Sequence, residues 1–191
     1  NLIPRFYDAT EGTVSVDGVN VKDYSQKELR NKIGYVSQKA TLFTGTIESN
    51  VAYGDNGQKN ASETDIKKAL DIAQASEFVD SLEDGSKAYV AQGGSNFSGG
   101  QKQRMSIARA IARKPEILIF DDSFSALDYK TDRVLREALA KSCKDSTRII
   151  VAQRIGTIRD ADRIIVLEDG KIAGMGRHEE LMRDCEVYRQ I

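Results

Sequence analysis

The chain has no tryptophan, two prolines, two cysteines and one histidine, His178. Each scarcity closes off a class of function. Cys143 and Cys185 are too few for a disulfide framework and lack metal-ligand spacing, which fits a reducing compartment. With a single histidine, no mechanism can draw a histidine base from anywhere but position 178. No apolar run approaches the roughly 18 residues that cross a bilayer, and the first residues do not read as a secretory signal. Net charge is −1, from 28 basic and 29 acidic residues, so no bulk field draws nucleic acid or an anionic surface. A further motif is missing: no Gly-x-x-x-x-Gly-Lys-[Ser/Thr] phosphate loop occurs in these residues.

What remains is an ordinary globular composition. The 191 residues are 40% hydrophobic and 30% charged, enough for one core. The sequence starts at Asn1 rather than methionine, and Asn1-Leu2-Ile3-Pro4 reads as a helix tail, so a truncated domain is expected. Thr13 to Val16 and Val19 to Val21 alternate about Asp17-Gly18, a hairpin signal. Ile33-Gly34-Tyr35-Val36 reads as a strand ending at Ser37-Gln38. Ser62 opens a helix with Asp65 three residues on, and Ile66, Ala69, Leu70 and Ala73 share one face.

Ser98 opens a second helix that Pro115 closes. Ile117 to Phe120 and Ile149 to Ala152 are short apolar runs, as expected of strands buried on both faces of a parallel sheet. Val134, Leu135, Ala138 and Leu139 mark a helix between them. Arg163 to Leu167 and Lys171 to Ala173 form a closing hairpin about Glu168-Asp169-Gly170. This alternation predicts an α/β domain with its ligand at the carboxyl ends of the strands.

Two segments carry chemistry. Ser98 and Gln101 have capping-box spacing, which alone would mean only a well-started helix. Gly99 and Gly100 cost that helix about 1 kcal/mol each relative to alanine. Such glycines bare backbone N–H groups at the positive end of the helix dipole, where an anion can approach. Asp121 and Asp122 stand side by side at the end of an apolar strand, where they repel unless a cation or hydrogen bonds intervene.

Together these segments resemble the ATP-binding cassette (ABC) family, joining its signature motif, Phe97-Ser98-Gly99-Gly100-Gln101, to its Walker B strand, Ile117 to Asp122. Gln103 to Ala110 extends the likeness along the helix. The resemblance covers essentially the whole chain. It implies a P-loop NTPase fold with a RecA-like core and a helical subdomain, lacking the N-terminal strands and Walker A loop. Residues 1–191 are then one partial nucleotide-binding domain. About 39–115 hold the Q-loop and the helical signature subdomain, and 116–191 the Walker B strand, D-loop, switch region and closing hairpin and helix.

The resemblance also assigns roles. Ser98, Gly99, Gly100 and Gln101 would contact the γ-phosphate of ATP held by an opposite subunit. Asp121 would hold Mg2+ through water, a hard oxygen ligand for a hard ion, and Asp122, as the base, would orient or deprotonate the attacking water. Gln38 would touch both Mg2+ and that water. Ser125-Ala126-Leu127-Asp128 matches the D-loop that crosses the dimer interface. Leu42 to Ile47, and Pro4 to Asp8, resemble exporters in particular, where the former helps receive the membrane domain.

Departures matter as much. Asp122 stands where the family usually has glutamate, and Gln153, in Val151-Ala152-Gln153-Arg154, where it has histidine. Phe97 replaces a leucine, and Ala91-Gln92-Gly93-Gly94 departs from the exporters' acidic loop. The pair Asp122 and Gln153 resembles the degenerate half of a heterodimeric exporter, at the cytoplasmic face of the membrane. Other readings are a slow homodimeric exporter ATPase, a DNA-repair type ATPase, or a regulatory module. The short interval from Gln38 to Ser98, without heptads, argues against the repair type.

Overall fold

The computed structural model describes residues 1–54 and 60–191. In the first turn Phe6 N donates to Asn1 O and Arg5 N to Leu2 O, with Arg5 at φ 52°, the bond pattern that ends a helix. Strands β1 (Ser15–Val16) and β2 (Val19–Asn20) pair about Asp17-Gly18, both at positive φ as a two-residue hairpin turn requires. Ser25 and Glu28 form a capping box on α1 (Gln26–Asn31), which leads into β3 (Ile33–Val36). Next come β4 (Gly45–Thr46), α2 (Ile47–Val51), α3 (Glu63–Ile72), α4 (Ser76–Asp80) and β5 (Tyr89–Val90), with β5 antiparallel to β4.

Helix α5 (Gly99–Ala112) starts at the Ser98–Gln101 capping box and stops before Lys114, at φ 48°, and the buried Pro115. Beyond it lie β6 (Ile117–Asp121), α6 (Tyr129–Ser142), β7 (Thr147–Val151) and α7 (Ile155–Ile158). The chain closes with the hairpin β8 (Ile164–Glu168) and β9 (Lys171–Gly176), then α8 (His178–Asp184) and α9 (Glu186–Gln190).

Strands β3, β6 and β7 form a parallel sheet in that order, with Val36 opposite Phe120 and Asp121 opposite Val151. Alternation along β6 divides the apolar residues between two cores. Leu118 and Phe120 pack with Met105, Ile107, Leu135 and Leu139, while Ile119 packs with Ile33, Leu29, Val16 and Val21 on the other face. Gly34 is required where sheet and α5 meet: a Cβ there would lie 2.8 Å from the Pro115 side chain and 3.0 Å from Ala110 O. A third cluster ties β8 to α8 and α9 through Ile164, Val166, Leu181 and Tyr188.

One expectation fails. The run Ile149 to Ala152 reads as a strand buried on both faces, yet Val151 is 51% exposed and Ile149 and Ile150 are half-buried. β7 is an edge strand among the described residues, with β6 on one side only, so nothing sandwiches it as β6 is sandwiched. The apolar run reports strand propensity, and burial depends on neighbours that a local pattern does not encode.

Candidate functional site

Because β3, β6 and β7 are parallel, their carboxyl ends share one rim. The residues that leave the rim are Ser37-Gln38, Asp121-Asp122 and Ala152-Gln153. Three hydrogen bonds staple the end of β3 to residues 121–123. Tyr35 Oη donates to Asp121 Oδ2 (2.7 Å), Gln38 Nε2 to Asp122 Oδ2 (3.0 Å), and buried Ser123 Oγ to Val36 O (2.8 Å). On the other side Asp122 N donates to Val151 O at 3.0 Å. Asp122 adopts φ 48°, a left-handed conformation that aspartate tolerates better than most side chains. Gln153 lies on the same rim but is exposed, and its side chain has no partner among the described residues. The fold thus joins Gln38, Asp121 and Asp122 and leaves Gln153 beside them, out of contact.

Both carboxylates are half-buried, and their side-chain partners, Tyr35 and Gln38, are uncharged. Burial, and then the bond to Asp121, push the Tyr35 phenol up to about 12, so it donates throughout the neutral range. Among the described residues no group of three or more acidic, histidine or cysteine side chains is arranged to hold a metal ion. A cation at this rim would have one or two carboxylates and would complete its shell with water or phosphate. That donor set fits Mg2+, which keeps several waters, better than Ca2+ or Zn2+.

Ser98 to Gln101 sit elsewhere, at the tip of α5. Gln101 N donates to Ser98 Oγ (3.2 Å) and Ser98 N to Gln101 Oε1 (2.9 Å). A Cβ on Gly99 would meet nothing within 4 Å, so nothing inside this chain demands a glycine there. On Gly100 it would lie 3.5 Å from Ala126 O, against the loop after β6. Farther along α5, buried Gln103 reaches Ser37 O at 3.3 Å. The tip and the carboxylates are separate surfaces joined through the 122–128 loop.

That loop is anchored twice. Ser125 Oγ donates to Asp122 O (2.8 Å), and Arg154 Nη2 to Ser125 O (2.6 Å), with its guanidinium 5.3 Å from the exposed Tyr129 ring. Asp128 caps α6, accepting from Thr131 N at 3.0 Å, and its bonds from Thr131 hold its carboxyl below the usual range. As a cap its side chain is already engaged.

The Leu42 to Ile47 stretch divides. Leu42 and Ile47 are core residues, at 2% and 0% exposure, and only Phe43 of the three apolar side chains shows a surface. Phe43 pairs with exposed Tyr53 at 4.5 Å between ring centroids. Beneath them lies Arg109 of α5, 5.1 and 5.8 Å from the two rings. It donates to Thr41 O (2.9 Å), Asn50 O (2.8 Å) and Asn50 Oδ1 (2.9 Å), and burial lowers its pKa. Gly93 and Gly94 both take positive φ, and a Cβ on Gly94 would lie 2.9 Å from Leu42, so the Ala91 to Gly94 stretch is shaped by packing.

Sequence reasoning passed over Tyr35, Ser123, Gln103 and Arg109 as contributors to this region. For Tyr35 a signal existed. In a parallel register that sets Tyr35 opposite Ile119, Asp121 falls on the same face two residues on. The register itself was not legible.

Comparison with known proteins agrees with this architecture. Residues 1–125 match the family model described as ABC transporter. The whole chain is 45% identical over 192 residues to ABC transporter B family member 21 of Arabidopsis thaliana, covering 15% of that protein. It is 41% identical over 191 residues to an ATP-dependent lipid A-core flippase of Vibrio vulnificus (strain CMCP6), covering 32% of it. A solved bacterial Atm1-family ABC exporter with ATP bound superposes with a TM-score of 0.93 at 36% identity, over 99% of this chain and 33% of that one. The chain therefore spans a third or less of the length of these relatives. With more than half of its residues under the family model and its full length aligned to such relatives, the chain belongs to the ABC transporter family.

Proposed function

We propose that this chain is part of the nucleotide-binding domain of an ABC exporter, working at the cytoplasmic face of a membrane with ATP and Mg2+. The reading rests on one observation above the others: Gln38 bonds Asp122 beside Asp121 at a shared rim of a parallel sheet. Asp121 is the residue that would hold Mg2+ through water, and Gln38 and Asp122 together would orient the attacking water. Bound Mg2+ would neutralise charge developing on the transferred phosphoryl group. Gln153 can donate an amide hydrogen to a phosphate oxygen but cannot take up or carry a proton. The phosphate cradle would come from residues outside this sequence.

Ser98, Gly99, Gly100 and Gln101 serve the other site of a two-domain sandwich, offering N–H groups to a triphosphate gripped by the partner. Asp128 and the loop before it face the same partner. Gly99, for which this chain has no internal need, supports that division. Phe43 and Tyr53 form the surface that would receive the membrane domain, with Leu42 and Ile47 as its foundation.

Asp122 and Gln153 make this the slower site of a heterodimer. Nucleotide occluded in the assembled full-length transporter during turnover should be intact ATP at this chain's site and ADP at its partner's. Equal hydrolysis at both would overturn the degenerate assignment. A second expectation concerns the 191-residue chain by itself. Without a P-loop lysine and its ring of N–H groups, calorimetric titration with ATP and Mg2+ should detect no micromolar affinity.

A further inference from the structure

Asp121 is oriented by a side chain from the neighbouring strand. Tyr35 lies in the middle of β3, opposite Ile119, and its ring is fixed from the far side. Phe6 meets it edge-on, 5.3 Å between centroids and 90° between planes. Arg30 stacks 5.3 Å from the Phe6 ring and is itself held by Pro4 O (3.2 Å) and Arg5 O (3.0 Å). The ring therefore has packing partners independent of the carboxylate. Its hydroxyl proton points at Asp121 Oδ2 across 2.7 Å, a charge-assisted bond of the stronger kind.

We propose that Tyr35 is a positioning residue: it engages Oδ2 of Asp121, fixes the carboxylate rotamer, and leaves Oδ1 available to the hydrated cation that Asp121 would hold. This rests on the reading of Asp121 as the Mg2+ residue. The bond costs the metal little, because a carboxylate has lone pairs to spare when one oxygen accepts a single proton. It also removes the freedom to rotate that an unanchored aspartate would lose on binding. Partners of this kind typically change metal affinity 10- to 100-fold when removed.

The test uses full-length transporter and the affinity for a non-hydrolysable ATP analogue, measured in saturating Mn2+ and again in EDTA. Mn2+ stands in for Mg2+. Tyr35→Phe keeps the ring and its contact with Phe6. It should weaken binding about 10-fold in Mn2+ and leave affinity in EDTA unchanged. With the partner's site silenced, Asp121→Asn should shrink the difference between the two conditions more than Tyr35→Phe does, and adding Tyr35→Phe to it should do nothing more. If Asp121→Asn loses the metal-dependent gain while Tyr35→Phe keeps it, Tyr35 does not position the carboxylate. Equal weakening of Tyr35→Phe in both conditions would mean a packing role and overturn the proposal as well. Should Asp121→Asn itself bind the metal complex like wild type, the underlying assignment of Asp121 fails first.

Discussion

Replacing Asp122 by glutamate together with Gln153 by histidine should raise ATP turnover at this chain's site on the order of 10²-fold, with the partner's site silenced. The size follows from reach. Asp122 is pinned by its left-handed backbone, by Asp122 N to Val151 O and by the amide of Gln38. With the carboxylate so held, the methylene that glutamate would add becomes a difference in reach toward the water in the proposed site. A shift of about 1 Å in such a group costs roughly two orders of magnitude. Histidine adds what glutamine lacks, a side chain whose charge can change near neutral pH. Both substitutions fall on residues with room: Asp122 is only half-buried and Gln153 is exposed. Turnover unchanged by the double variant would count against the degenerate reading of Asp122 and Gln153.

Gly99→Asp should silence the opposite site instead. Within this chain the substitution is harmless, because a Cβ there meets open space and an acid in the first helical turn favours the dipole. Aspartate ranks only slightly above glycine inside a helix, so thermal stability should hold. A carboxylate at the tip, however, would repel the triphosphate and cover the N–H groups. Loss of one such preorganised donor costs about 10²- to 10³-fold in rate. The assembled transporter should lose at least that much turnover at the partner's site. Normal hydrolysis in the variant would mean that the tip of α5 faces no nucleotide.

The parts of the fold most readable beforehand were those with redundant signals. Helix α5 has a capping box in front and Pro115 behind, and β6 is a wholly apolar run ending in charge. The β1–β2 and β8–β9 hairpins were marked by Asp17-Gly18 and Asp169-Gly170. The short helices α1, α2 and α4 went unanticipated, although Ser25 and Glu28 carry a capping box. Helices of five or six residues do not hold by themselves, so tertiary contacts decide them. Leu42 and Phe43 are adjacent and both apolar, yet one is core and the other surface. Leu42 packs into the core beside Gly94, while Phe43 lies over Arg109 at the surface, a division that adjacency in sequence does not encode.

The carboxylates, the glutamine and the glycine tip drew notice as candidates in the sequence because each residue type is unusual where it stands. Tyr35 did not, since a tyrosine in a strand is unremarkable until the adjacent strand's register is known. Arg154 was visible only as a member of a motif. Its grip on Ser125 O depends on how the ends of β6 and β7 turn toward each other.

The three bonds from Arg109 to the backbone and side chain of residues 41 and 50 tie one end of α5 to the segments beneath Phe43 and Tyr53. The helix's 14 residues span about 21 Å. One end bears the two glycines, and near the other the guanidinium clasps the platform under Phe43 and Tyr53. Substituting Arg109 would therefore loosen the footing of the aromatic pair and the carboxyl-terminal half of α5 together.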